Sequence, residues 1–161
     1  MALSGQVRID PVLGMNFAVT LLDSSSPLVA LVGVLQLSAA AGFSECTGLE
    51  SSLEVEDYKE GGNNGGGLKF PTRVSWTNIK LKRGLSVTTE LWDWHYGFVT
   101  GFSSRRDGLI VLFDSEHKPF RSWTFRRGLP VKYSGPAMNA NQSQVAMEEI
   151  EIAHEGLFLA G

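Results

Sequence analysis

The side chains that could do chemistry are few and scattered in this 161-residue chain, which has three histidines and one cysteine. Asp93 and His95 stand two apart in a stretch with helical periodicity, so their side chains diverge and cannot share a proton. His154 and Glu155 are neighbours at the end of a strand-like run, where successive side chains point to opposite faces. His117 falls in the polar turn Asp114–Pro119. A small hydrolase needs an acid/base pair beside a nucleophile, and no Ser or Cys has such a neighbour. Cys46 reads as a small buried hydrophobe beside a strand, and a single cysteine excludes an intrachain disulfide or a Cys-rich metal site. The glycine-rich stretch Gly61–Gly67 is not a phosphate loop, because Lys69 is not followed by Ser or Thr and no helix pattern begins there. Trp92 and Trp94 read as helix packing rather than as a ligand platform. No residue is assigned a catalytic, cofactor-binding or metal-binding role.

Chemistry being absent, the elements carry the reading. At 17.5 kDa, with 43% hydrophobic residues, the chain fits one domain that buries its own core. Its 14 basic and 17 acidic residues give a net charge of −3, which disfavours a general nucleic-acid binder. Residues Met1–Asp10 hold one Arg and no apolar core, so no secretory signal is expected. The apolar segment from Leu28 to Phe43 carries Gln36 and Ser38 and falls short of the roughly 20 apolar residues of a membrane span. Its Val- and Leu-rich part, Leu28–Leu37, is expected as a buried strand or an oligomer contact, with no membrane insertion of the subunit.

Period-two alternation marks most of the rest as strand. Met15, Phe17, Val19 and Leu21 share one face of a half-buried strand that ends at the loop Asp23–Pro27. Arg105–Gly108 reads as a turn into Leu109–Phe113, which is apolar on both faces. Trp123 and Phe125 mark one later strand, and Val131 and Tyr133 a second, short one after Pro130. Val145 and Met147 hold one phase and Ile150 and Ile152 the other, so a bulge or a break into two strands is expected at Glu148–Glu149. One helix, at about 89–100, is expected from Leu91, Trp94, His95, Phe98 and Val99 at helical spacing, with Thr88 or Thr89 as N-cap and Gly101 as C-cap. About eight strands and this flanking helix make a mainly β fold, a sandwich or barrel.

The stretch Gly42–Gly84 is the most distinctive. Leu53 and Val55 alternate with Glu54 and Glu56, and Ile79 and Leu81 alternate with Asn78, Lys80 and Lys82. Between the two runs lies a tip rich in Gly and Asn, at about 59–68, which predicts a long β-hairpin. The acidic and basic faces are expected to meet, either across the hairpin or between copies of the chain. A glycine-rich tip has no core of its own, so it is either a disordered surface loop or ordered by a neighbouring subunit. A head-to-tail contact that closes gives a ring, and one that does not close gives a stack. Glu54, Glu56, Lys80 and Lys82 are therefore the candidate register charges. The other basic residues Arg83, Arg105, Arg106, Arg126 and Arg127 read as solvated strand faces or as salt bridges between subunits.

The block Gly42-Phe43-Ser44-Glu45-Cys46-Thr47-Gly48-Leu49-Glu50 resembles the signature of the phage tail tube protein family. Further blocks resemble that family in its order: Tyr58-Lys59-Glu60-Gly61-Gly62-Asn63-Asn64, Ile79–Gly84, Glu90–Trp94, Pro130–Pro136 and Ala153–Leu157. Together they span Met15 to Leu157, as a single tail-tube domain over residues 1–161 with an apolar insertion at about 24–41. The resemblance implies a non-enzymatic structural protein without cofactor. It implies hexameric rings, stacked into the hollow inner tube of a contractile phage tail or contractile injection system. Implied partners are further copies of the chain, a sheath protein, baseplate or spike proteins and a terminator, with the tube as conduit for cargo. Assembly is expected in the cytoplasm, and the product in a phage tail or a released extracellular particle. Tyr58, Lys59, Glu60, Gly61, Gly62, Asn63, Asn64 and Arg83 join the four register charges as candidate inter-subunit or inter-ring contacts. The alternative is a monomeric small-ligand-binding β-barrel, which needs an apolar cavity and predicts no assembly.

Overall fold

The computed structural model describes residues 13–14, 16–23, 42–62 and 65–160. Among them are nine strands: β1 Phe17–Asp23, β2 Phe43–Thr47, β3 Ser51–Tyr58, β4 Leu68–Trp76, β5 Ile79–Gly84, β6 Arg106–Phe113, β7 Pro119–Ser134, β8 Met147–Ala153 and β9 Leu157–Ala160. One helix, α1, spans Glu90–Thr100. The strand expected at Leu28–Leu37 lies outside the described residues.

All pairings are antiparallel, and β7 organises them. Its first half pairs with β6 on one side and β9 on the other, and β6 pairs in turn with β1. Its second half pairs with β8, which continues to β5 and then β2. The expected two strands, at Trp123–Phe125 and Val131–Tyr133, are thus one bent strand of 16 residues. The corner is at Arg127, whose φ of 52° lies in the left-handed region. There the register opposite β6 shifts between Arg106 and Gly108, as a bulge requires. Asp107 Oδ1 accepts from the Arg127 amide at 2.8 Å, and Arg126 exchanges backbone hydrogen bonds with Gly156 and Glu155. A Cβ at Gly128 would lie 2.8 Å from Arg106 O, so only glycine lets the strands cross so closely. Passing one strand between two sheets folds them face to face, sandwich-like, without closing a barrel.

The core lies between these sheets. Val19, Ile110 and Phe125 come from one sheet, and Phe43, Ile79, Leu81, Ile150 and Ile152 from the other. Leu91 and Trp94 of α1 fill the flank, and Trp94 Nε1 donates to Ser104 O at 3.0 Å. The predicted helix stripe is narrower than its periodicity suggests, because Val99 is exposed. Thr89 is the N-cap residue and bonds to Asp93 through its side chain; Gly101 closes the helix with φ 81°. Arg105 remains outside the regular strands, whereas Arg106–Gly108 belong to β6 rather than to a turn.

The predicted phase slip in β8 does not occur. Residues Met147–Ile152 pair with β5 in unbroken register, and Glu148, Ile150 and Ile152 are all buried on one face. Glu148 occupies a core position, which its charge hid from a reading based on apolar spacing.

Candidate assembly surfaces

Strands β3 and β4 leave the body as a separate two-stranded arm. Their pairing shows that the hairpin has two stages: β2 with β5 inside the sheet, then β3 with β4 beyond it. The returning limb therefore begins at Leu68, before the run at Ile79 that the sequence marks. Every residue of β3 is exposed, and in β4 only Trp76 is partly covered. An isolated two-stranded ribbon is marginal in water at best, and this one displays apolar side chains on both faces. Leu53 lies opposite Val74 and Val55 opposite Pro71, each roughly half exposed or more on the Leu and Val side. Towards the tip, Tyr58 lies opposite Leu68 and packs edge-on against Phe70, with ring centroids 6.1 Å apart. Contiguous exposed apolar surface of this kind marks a contact site.

The base of the arm is built tightly. Gly48 has φ 88°, and a Cβ there would sit 2.1 Å from Asn78 O. Opposite it, the Thr77 amide donates to Glu50 O at 3.3 Å, and Asn78 Nδ2 donates to Glu151 Oε1 at 2.8 Å. His154 Nε2 lies 3.1 Å from Thr77 O, and its ring packs against Trp76 and Phe125. A carbonyl can only accept, so Nε2 carries the proton. The arm is thus anchored to the body at its base, where Trp76 packs on His154.

The candidate contact residues fall in three places. Glu54, Glu56 and Tyr58 are on the arm, and Lys59, Glu60, Gly61 and Gly62 are at its exposed tip. Asn63 and Asn64 lie outside the described residues. Lys80 and Lys82 face outward on β5, opposite Thr47 and Glu45 of β2 and opposite Glu151 and Glu149 of β8. Within one chain the acidic and basic sets therefore do not meet: Glu56 lies opposite Phe70. Among the described residues neither set makes an ion pair.

Arg83 departs from the expected surface role. It is 4% exposed, and its Nε donates to Glu148 Oε1 at 2.6 Å. Tyr133 donates its hydroxyl to the other oxygen of Glu148 at 2.9 Å, and the guanidinium lies over the Phe43 ring at 5.6 Å. Partial burial, with the Glu148 hydrogen bond, raises the Tyr133 phenol above its usual range. Arg83 is therefore a core residue of the sheet and not a free contact charge. Glu148, Tyr133 and His154 were missed at the sequence level. The signal was present for Arg83 and Glu148, since each continues the inward phase of Ile79–Leu81 or Ile150–Ile152.

At the open seam between the sheets, Phe17, Cys46, Leu49, Ile110, Leu112 and Trp123 line a cleft of about 330 Å³. Burial pushes the Cys46 thiol up to about 11, which leaves it protonated and unreactive at neutral pH. Among the described residues no group of three or more His, Cys, Asp or Glu side chains could hold a metal ion, and no helix is long and apolar enough to cross a membrane.

The sandwich carries a separate two-stranded arm whose apolar side chains are about half exposed. The chain belongs to the T4-like virus tail tube protein gp19 family, whose model matches residues 14–158. It is accordingly a structural protein of the inner-tube class. Its fold is shared with a chain of the anti-feeding prophage baseplate, with TM-score 0.77, 22% identity, and 94% and 97% of the two chains covered. A chain of the PVC sheath–tube complex, an extracellular contractile injection system in its extended state, gives TM-score 0.77 at 21% identity, covering 99% and 98%. Hcp1 from Flavobacterium johnsoniae shares the fold more distantly, with TM-score 0.50, 16% identity and coverage of 90% and 94%. No curated protein matches the chain.

Proposed function

We propose that six copies of this chain close into a ring and that the rings stack, through the β3–β4 arm, into the hollow inner tube of a contractile phage tail or contractile injection system. The observation that carries this reading is the arm itself, an exposed apolar ribbon on a fixed base. Ordering it against a neighbour buries Leu53, Val55 and Val74 at every copy, so one sequence feature is repeated along the whole tube. The tube's work is then mechanical and passive: it stays stiff while a sheath drives it and offers cargo a path. It performs no catalysis. A sheath, a baseplate and a terminator are its partners beyond itself, and the particle acts outside the cell that assembles it.

Glu54 and Glu56 on the arm and Lys80 and Lys82 on β5 set the register between copies in this reading. Glu56→Lys should leave the circular dichroism spectrum and the melting temperature of the monomer unchanged while sedimentation shows fewer and smaller assemblies. Assemblies of normal size from that variant would remove Glu56 from the contact.

A further inference from the structure

His154 joins the arm to the body and has no part in the assembly reading. It follows the last residue of β8, and its Nε2 meets Thr77 O, 3.1 Å away, in the short link between β4 and β5. Its ring packs against Trp76, the last residue of the arm, and against Phe125, a fully buried residue of β7, with centroids 6.0 and 5.9 Å apart. Nδ1 is buried and has no hydrogen-bond partner among the described residues. The charged groups around it are engaged elsewhere. Ahead of β3, Glu50 Oε2 takes the Thr77 hydroxyl at 3.4 Å, and from β8 Glu151 Oε1 takes Asn78 Nδ2 at 2.8 Å. Glu155 is held by Arg105 and Arg127, each at 2.8 Å. On β7 the Arg126 guanidinium lies 4.9 Å over the Phe158 ring, and on β6 Asp107 accepts from the Arg127 amide.

With Nε2 donating to Thr77 O, the neutral ring leaves only one acceptor unmet, at Nδ1. The imidazolium would instead bury a charged N–H donor with nothing to accept it, which costs far more. We propose that His154 is a proton-operated latch: the neutral ring fixes the arm to the body, and uptake of a proton at Nδ1 releases Thr77 and loosens the arm's base. The inference concerns the folded single chain and stands whether or not copies assemble. A released ring reaches water, where imidazole titrates at about 6.5, so proton uptake favours the released form about tenfold at pH 5.5. The latch is therefore closed above that value and opens as pH falls through it. Ordinary carboxylates titrate at about 4, so the neighbouring ion pairs keep their charges across this window.

The test is hydrogen–deuterium exchange of the full-length chain, followed at residues 74–78 at pH 7.5 and pH 5.5 and corrected for the intrinsic rate at each pH. Protection in wild type should fall about tenfold on acidification, while residues 147–152 of β8 keep theirs. His154→Gln offers an amide N–H in place of Nε2 and takes up no proton, so its protection at 74–78 should be the same at both pH values. An equal pH response in wild type and His154→Gln, or none in wild type, would overturn the latch. Should the Gln variant fail to fold, nitrogen-15 and carbon-13 spectra of wild type decide. Nε2 should be the protonated nitrogen at pH 7.5, and the Thr77 carbonyl resonance should move in step with the ring's titration. A carbonyl resonance that ignores that titration would overturn the latch. No readout here involves assembly, so failure of the latch leaves the tube reading standing.

Discussion

Arg83 Nε and Glu148 Oε1 lie 2.6 Å apart inside the sheet, each side chain about 5% exposed or less. They face each other directly across the β5–β8 pairing, with Tyr133 completing the carboxylate's contacts. A buried pair of this kind is costly to break but not costly to replace. Glu148→Ala should therefore lower unfolding stability by about 3–5 kcal/mol, because it leaves the Arg83 charge buried alone. The double variant Arg83→Met/Glu148→Leu should recover most of that loss in the same urea titration. Equal loss in both variants would show that the pair has a role beyond mutual neutralisation.

Gly48 fixes where the arm leaves the body. Its φ is 88° and a Cβ there would lie 2.1 Å from Asn78 O, so Gly48→Ala must move the β2–β3 junction away from Asn78. A cost of about 1–3 kcal/mol is expected for the strained backbone alone. Limited proteolysis should then cut the arm sooner than in wild type. Gly62→Ala is the matched control, since it also has positive φ but no atom within 4 Å.

Removing Gly61–Gly66 shortens the glycine-rich tip. The variant should fold with an unchanged thermal transition and should fail to form long tubes. Full-length tubes from it would mean that the tip has no part in stacking.

Cys46 gives a pH signature. Its folded pKa, about 11, stands above the ordinary thiol value of 9.0, so the folded chain holds the proton longer than the unfolded one. The stabilisation is complete below pH 9 and is lost as pH rises towards 11. Over that range wild type should lose roughly 2–3 kcal/mol relative to Cys46→Ala. Ellman's reagent should react slowly with the native protein at pH 8 and quickly in denaturant.

The strands and the helix were legible because their apolar residues keep period: Val19 with Leu21, Ile79 with Leu81, Leu91 with Trp94. Reading failed where a core position is not apolar. Glu148 broke the apparent phase of β8 although it points inward with Ile150, and Arg83 looked like a surface charge for the same reason. The bend in β7 was read as two strands because Arg127 and Gly128 look like a turn locally. Long-range contacts with Asp107, Glu155 and Gly156 hold the strand through the corner. Strand β4 was hidden by Pro71, which an isolated two-stranded arm tolerates. Lys80 and Lys82 do face outward on β5, but local alternation carries no information about which strand lies opposite, and the register separates them from Glu54 and Glu56.

The most direct test is negative-stain electron microscopy of the purified chain over a concentration series. Six-fold rings that lengthen into hollow tubes as concentration rises are the predicted result. Particles that stay monomeric at every concentration, even with a baseplate present to nucleate growth, would contradict the account.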